Sequence, residues 1–401
     1  MNFNLMRILD YWAGILLCYF SSGMNYIFKL FSQRKCAQIT PEKILFIKLS
    51  EMGSIILAQP LIEKTRCKYP RAKIFFLTFE KNRPLFEILT TIPLHSVMTI
   101  RDDSFSVFVL DTIKVIKRLS REKIDVVFDL EFFSRFTALL SFASGAPKKI
   151  GFYRYSFEGL YRGNLFSHNI CYNPLQHISM NYLVMFQGSK EGRKITPSVD
   201  EPINKEEIYL PIFHTSEESN NKIRFRLKRL GMAIDNELVL INAGGGVLSL
   251  REWPLENFTI LAKQILQNNK TFIILVGTRE EKSKAELLHR ALNSKRCLDL
   301  TGQTTLYELL DLCSIAKVLI SNDCGLAHLA ALTPVNKFIF FGPENPQIYS
   351  PLGEATTIFY SNFPCSPCLS VLNHRLSVCR NNKCLQAIKP SDVFESLRKY
   401  L

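Results

Sequence analysis

No segment of this 401-residue chain repeats at a fixed short period, which excludes stacked repeat architectures. No small-residue cleavage site lies between the apolar N-terminal stretch and the first predicted strand, so a removable signal peptide is not expected. Acid is in short supply: 36 Asp and Glu stand against 50 Lys and Arg, a net charge of +14. That balance favours anionic partners, namely phosphorylated small molecules, acidic membrane surfaces or nucleic acid. The basic residues are dispersed and no recognised RNA or DNA motif is present, so nucleic acid is not an expected partner.

What is present suits two ordinary cores. A chain of this length with 47% hydrophobic residues is too long for one comfortable domain. Seven of its eleven cysteines (Cys18, Cys36, Cys67, Cys171, Cys297, Cys313 and Cys324) are scattered through apolar or helical stretches and read as reduced cytosolic thiols. The other four, Cys365, Cys368, Cys379 and Cys384, form a C-x2-C-x10-C-x4-C array in a loop near the end. Four thiolates at that spacing suit a structural zinc, to which His374 can add a ligand; two disulfides and plain reduced thiols are the alternatives.

From Tyr11 to Phe28 the chain carries no charge, flanked by Arg7 and by Lys29, Arg34 and Lys35. Ser21, Ser22, Gly23 and Asn25 dilute the second half, and Tyr11, Trp12, Tyr19 and Tyr26 favour a membrane interface. The expectation for residues 1–38 is an amphipathic helix lying in the membrane plane, with a bilayer span and a helix packed on the protein's own core as the other two readings.

Beyond that segment, short β-branched runs alternate with helical patterns: KILFIKL, a helix through about Tyr69, KIFFLT, VMTI, IDVVFDL and KKIGF. Around residues 187–236 charge, Pro and Gly replace large apolar residues. A second series follows: LVLINAGGG, TFIILVG, CLDLTG, VLISND and KFIFFGP, separated by helices around 255–268, 280–293, 304–315 and 325–332. Strands interleaved with helices imply parallel sheets, and so two doubly wound α/β domains, 39–215 and 216–401, facing a cleft.

Three strand-to-helix turns of the second domain carry glycine or polar residues: INAGGG at 241–246, VGTREE at 276–281 and SNDCGLAH at 321–328. Such turns open at the carboxyl edge of the sheet, where ligands bind. Gly244 and Gly245 let backbone amides approach a ligand, and Arg251 is a counter-charge for phosphate. Asp323 is expected to cap the next helix, Gly325 to let the backbone turn, and His328 to donate to a phosphate oxygen; a buried histidine bonded to a carbonyl is the competing structural reading.

The order and spacing of INAGGG, REWPLENFTILAKQI, IILVGTREE, LTGQTTLYELLDLCSIAKVLISNDCGLAHLAAL and FIFFGPENPQIYSPLG resemble the heptosyltransferases of glycosyltransferase family 9, as does KILFIKLSEMGSIILAQPLIEKTRCKYPRAKIFFLT; the resemblance covers roughly residues 43–400. It implies a GT-B fold with the donor nucleotide sugar on the second Rossmann-like domain and the acceptor on the first. It also implies that Asp323, Cys324, Gly325 and His328 line the diphosphate and sugar, that Arg251 contacts phosphate, and that Glu281 holds the ribose hydroxyls.

One position departs from the family. Where its members carry S-x-x-G-D, with the aspartate as base, this chain reads Ser50, Glu51, Met52, Gly53, Ser54. Serine cannot take the acceptor proton unaided. Glu51 is the nearest replacement, with Asp129 and Glu131 at the end of IDVVFDL as further candidates; Ser54 and Arg135 are placed at the acceptor. The expected activity is inverting transfer, without a metal, of a sugar such as heptose from ADP-heptose. The expected acceptor is a lipid-linked saccharide such as lipopolysaccharide core, at the inner face of the cytoplasmic membrane. The missing aspartate also permits a catalytically silent sugar-nucleotide or glycan-binding protein.

Overall fold

The computed structural model describes residues 3–31, 40–153, 161–190, 202–233, 236–246, 248–373 and 375–401. Arg34, Lys35, Cys36, His374 and residues 191–201 of the charged stretch lie outside them. The chain divides into two compact units, Met1–Ile208 and Tyr209–Leu401.

In the first unit, β1 (Lys43–Ile47), β2 (Lys73–Phe79), β3 (Val97–Ile100), β4 (Val126–Asp129), β5 (Lys148–Phe152) and β6 (His168–Ile170) form one parallel sheet in the order β3-β2-β1-β4-β5-β6. The second unit repeats the plan with β7 (Glu237–Asn242), β8 (Thr271–Leu275), β9 (Cys297–Asp299), β10 (Val318–Asn322), β11 (Asn336–Phe341) and β12 (Thr356–Tyr360) in the order β12-β11-β10-β7-β8-β9. Helices cover both faces of a parallel sheet, which is why the central strands are continuous apolar runs such as ILFI and FIIL. The two edge strands β6 and β12 escaped the sequence reading. The first is three residues long, and the second is only partly buried and joined to β11 through a single four-residue helix, Pro346–Tyr349.

The helix expected to run through Tyr69 is two, Met52–Leu57 and Gln59–Lys68, divided next to Pro60, whose missing N–H suits the first turn of a new helix.

The N-terminal helix, Phe3–Phe31, belongs to the first unit by its inner face. Asp10 accepts from the backbone N–H groups of Phe136, at 2.8 Å, and Arg135, at 3.3 Å, so it caps the helix Arg135–Ala143 from outside. Further along, Cys18 is fully buried, Tyr19 stacks on Tyr161 at 4.6 Å between ring centroids, and Asn25 donates to the carbonyl of Asn164. Packing on the protein's own core therefore holds for this face. Among the described residues no helix is long and apolar enough to cross a membrane.

Candidate active site

In both sheets the strand order reverses beside the first strand, between β1 and β4 and between β7 and β10; ligands of open α/β sheets bind at such points.

At the second unit's reversal, the turn leaving β7 is pinned by Glu281. The carboxylate accepts from the N–H of Thr278 at 2.8 Å, which closes a capping box ahead of the helix Lys282–Leu292, and from the N–H of Gly246 at 3.3 Å. A Cβ on Gly244 would collide with that carboxylate, so any side chain there would have to displace Glu281 from the turn. Glu281, expected at the ribose, stands with Ile241, Ala243, Val276 and Thr301 around a shallow depression.

Arg251 owes its position to the tryptophan two residues on. Trp253 is buried, donates its backbone N–H to Asn322 Oδ1 at 2.8 Å and its indole N–H to the Ile388 carbonyl at 3.0 Å, and stacks on Phe340. Anchored there, the chain carries Arg251 into a mostly buried spot where it pairs with Glu344 and lies 3.6 Å from Asp323. Arg375, from the cysteine-bearing loop, approaches Glu344 to 3.2 Å. Burial pushes the Glu344 carboxyl up to about 7 against the opposing pull of Arg251. Asp323 is likewise raised by burial, with Arg251 opposing. Burial by itself would depress Arg251, yet Asp323 and Glu344 hold it above its ordinary value, so it stays charged. The result is a fixed cation, backed by two acids, beside a glycine-rich turn.

Two details of this site differ from expectation. Asp323 does not cap the helix Gly325–Ala330; the capping position is Cys324, which makes no side-chain cap bond, because the Asp323 carboxylate is turned toward Arg251. Cys324 points under the turn, its sulfur 3.3 Å from Ser321 Oγ and 3.7 Å from Asn242 Oδ1, and is buried, so it supports the turn from beneath. Gly325 opens the helix at the surface, and His328 is buried one turn further on.

At the first unit's reversal the three candidate carboxylates have different surroundings. Asp129 is fully buried, pairs with Arg162, and is raised to about 6 by burial with Arg162 opposing. Its place is under the sheet end and not at an open edge. Glu131 accepts from Lys48 Nζ at 2.8 Å and from the N–H groups of Leu49, at 2.8 Å, and Ser50, at 3.2 Å, which fastens the end of β4 to the turn after β1. Glu51 is the most exposed of the three, at 34%, with Ser54 Oγ donating to it at 3.0 Å and Lys48 Nζ 3.9 Å away. Its backbone φ of 67° is rare for a residue with a side chain and costs about 1 kcal/mol or more. Strain of that kind clusters where geometry is functionally constrained. Arg135, expected at the acceptor, is instead buried: its Nε donates to the Tyr161 carbonyl at 2.7 Å and its guanidinium faces Asp10, so it ties the N-terminal helix to the helix Arg135–Ala143 and to Tyr161.

His374 of the four-cysteine loop lies outside the described residues. Among the described residues no three His, Cys, Asp or Glu side chains stand together as metal ligands. Cys365 is exposed, Cys384 is buried, and Cys379 donates to the Asn381 carbonyl.

Sequence reading did not single out Lys48, Arg162, Asn322, Glu344 or Arg375. Asn322 carried the one available signal: it stands inside the SNDCG turn, and it donates to the carbonyls of Ala243 and Gly244, fixing the glycine turn to β10.

Two Rossmann-like units, the second with a buried cation at the glycine turn of its strand reversal, make up a GT-B fold. The family model for glycosyltransferase family 9 (heptosyltransferase) matches residues 112–377, and the chain belongs to that family. It is 23% identical to lipooligosaccharide heptosyltransferase 2 of Haemophilus ducreyi over 79% of this chain and 88% of the relative. Its fold is similar to that of Escherichia coli ADP-heptose lps heptosyltransferase II, with a TM-score of 0.70 at 20% identity, covering 89% of this chain and 98% of the other. E. coli heptosyltransferase WaaC, solved with ADP-2-deoxy-2-fluoro heptose, has a TM-score of 0.60 at 15% identity over 90% of this chain and all of that one, 100%.

Proposed function

We propose that the protein is an inverting transferase that moves heptose from ADP-heptose to a lipid-linked saccharide of the lipopolysaccharide core. The observation that carries the reading is the buried Arg251, held charged by Asp323 and Glu344 beside the Gly244 turn. A pre-placed cation of this kind takes up the charge that develops on a departing diphosphate without reorganising, and needs no metal to do so. The nucleoside would occupy the depression beside Glu281, with the ribose hydroxyls on that carboxylate; His328 and the amides after Asp323 would complete the diphosphate contacts. Glu51 is the proposed base, since Asp129 is occupied by Arg162 and Glu131 by Lys48 and two amides. Ser54, bonded to Glu51, would meet the acceptor hydroxyl.

The apolar outer face of the N-terminal helix, with Trp12 and Leu16 about 70% exposed, supports attachment to the inner face of the cytoplasmic membrane. A structural zinc would act only as a staple for the cysteine loop: Cys384 lies within electrostatic range of Cys368 and Cys365, but Cys379 would have to leave Asn381 to join them. Metal analysis of the purified protein finding no zinc ends that part of the reading.

A thermal-shift screen of nucleotide sugars, followed by transfer to a heptose-deficient lipopolysaccharide, tests the function. ADP-heptose should raise the melting temperature most and support transfer. Ser54 in place of the family's aspartate favours one second reading, a silent donor-binding protein; binding without any transfer would establish it and sink the enzyme.

A further inference from the structure

We infer that the helix Phe105–Glu122 forms a second strip of the membrane-docking surface, so that the acceptor-side unit rests on the bilayer along two helices at once. This rests on the membrane reading above and extends it to a part of the fold that reading does not use.

The topology places the two strips on one side. Right-handed crossovers put the helices that follow β1 and β2 on one face of the first sheet. The return from β3 to β4 and the step from β4 to β5 run the other way and place theirs on the opposite face. The helix Phe105–Glu122 makes that return and Arg135–Ala143 makes the step, with Phe108 and Phe136 5.0 Å apart between ring centroids. The N-terminal helix packs on Arg135–Ala143, and its Met6 joins the same apolar cluster as Phe108 and Phe136. All three helices therefore share one face of the sheet.

Both flanking helices expose apolar stripes on that face. The N-terminal helix shows Ile8, Trp12, Leu16 and Phe20 at four-residue spacing. The helix Phe105–Glu122 buries Asp111, Val115 and Leu119 and exposes Phe105 (56%), Val109, Leu110 (57%) and Ile113 (45%). Its stripe then continues, one and two turns on, as the exposed cations Lys117 and Arg121. Apolar and aromatic residues followed by basic ones along one helix face fit the boundary between acyl chains and anionic headgroups. The charge identifies the occupant as an anionic lipid surface, consistent with the chain's net +14.

The test is co-sedimentation of the full-length protein with vesicles of phosphatidylcholine containing phosphatidylglycerol, and with phosphatidylcholine alone. The triple variant Phe105→Ser/Leu110→Ser/Ile113→Ser should lose at least about tenfold in partitioning while the N-terminal helix is intact, as the exposed area predicts. Lys117→Glu/Arg121→Glu should abolish the preference for anionic over neutral vesicles. Melting temperatures of all variants should match wild type, which separates lost docking from lost folding. If wild type binds and the triple variant binds equally, this surface is wrong and the N-terminal helix acts alone. If wild type itself fails to sediment, both membrane readings fall. If the triple variant instead turns a wild-type dimer into a monomer and leaves vesicle binding unchanged, the face is a contact between copies and the inference is overturned.

Discussion

The two units have the same strand order and the same reversal point, but the charges at those points are arranged for different chemistry. At the second, a cation is buried first and two acids are packed behind it: Arg251 with Asp323 and Glu344. At the first, cations serve to hold carboxylates: Arg162 on Asp129 and Lys48 on Glu131, with Glu51 left nearest to solvent. On the proposed reading, one point would receive negative charge and the other would present a carboxylate. The difference teaches that topology fixes where a ligand sits, while the partner given to each buried charge decides what is done there.

The sharpest way to break this contrast is at the first unit. Glu51→Gln keeps the shape of the turn and removes the base, so turnover should fall about 100- to 10,000-fold with donor affinity unchanged, measured by steady-state transfer and calorimetric titration. Ser54→Ala should lose far less. Wild-type turnover in Glu51→Gln would remove the first unit's claim to proton transfer, and increased turnover in Ser54→Asp would mark a base that was lost.

The converse substitution acts at the second unit. Arg251→Ala should weaken donor binding by about 1.5–3 kcal/mol, roughly 10- to 150-fold, and His328→Ala should act in the same direction. Equal donor affinity in both would end the assignment of this turn to the diphosphate.

A smaller effect follows from Glu344, whose carboxyl is raised to about 7 by burial. Below that pH it is protonated and neutral, and the site around Arg251 gains net positive charge. Donor affinity should therefore rise severalfold as pH falls from about 8 to about 6. Glu344→Gln should flatten that slope, and a slope that persists in the variant points to another group.

The smallest effect concerns neither reaction site. Asp10→Ala removes the outside cap of Arg135–Ala143 and should cost about 1 kcal/mol, a drop of about 2–4 °C in melting temperature for a unit of this size. No change would mean that the N-terminal helix is held by its apolar contacts and by the hydrogen bonds of Ser22 and Asn25 to Asn164.

Much of the frame was legible because parallel sheets bury both faces: KILFI, KIFFLTF and TFIIL could only be interior strands. The glycine turn and Arg251 were legible for the same local reason, standing directly after a strand and directly before W-P. Glu344 and Arg375 were not, since their meaning comes from partners far along the chain: Arg251 and Glu344 are separated by 93 positions. Arg135 shows the opposite failure. Its charge at the end of a strand looked like an acceptor contact, and only the fold reveals that Asp10 arrives from the N-terminal helix to occupy it.

That helix has a history as well as a place. Asp10 meets Phe136 across 126 positions and Asn25 meets Asn164 across 139, so this segment docks on parts of its own unit that are made well after it. At roughly 5–20 residues per second of synthesis, the helix waits on the order of ten seconds before its docking site exists. Through that interval an aromatic-rich segment, without charge from Tyr11 to Phe28, waits in the growing chain for the surface its inner face will cover. Its first encounters are with whatever surrounds the ribosome, and the yield of folded protein becomes a race between those encounters and the arrival of residues 135–164.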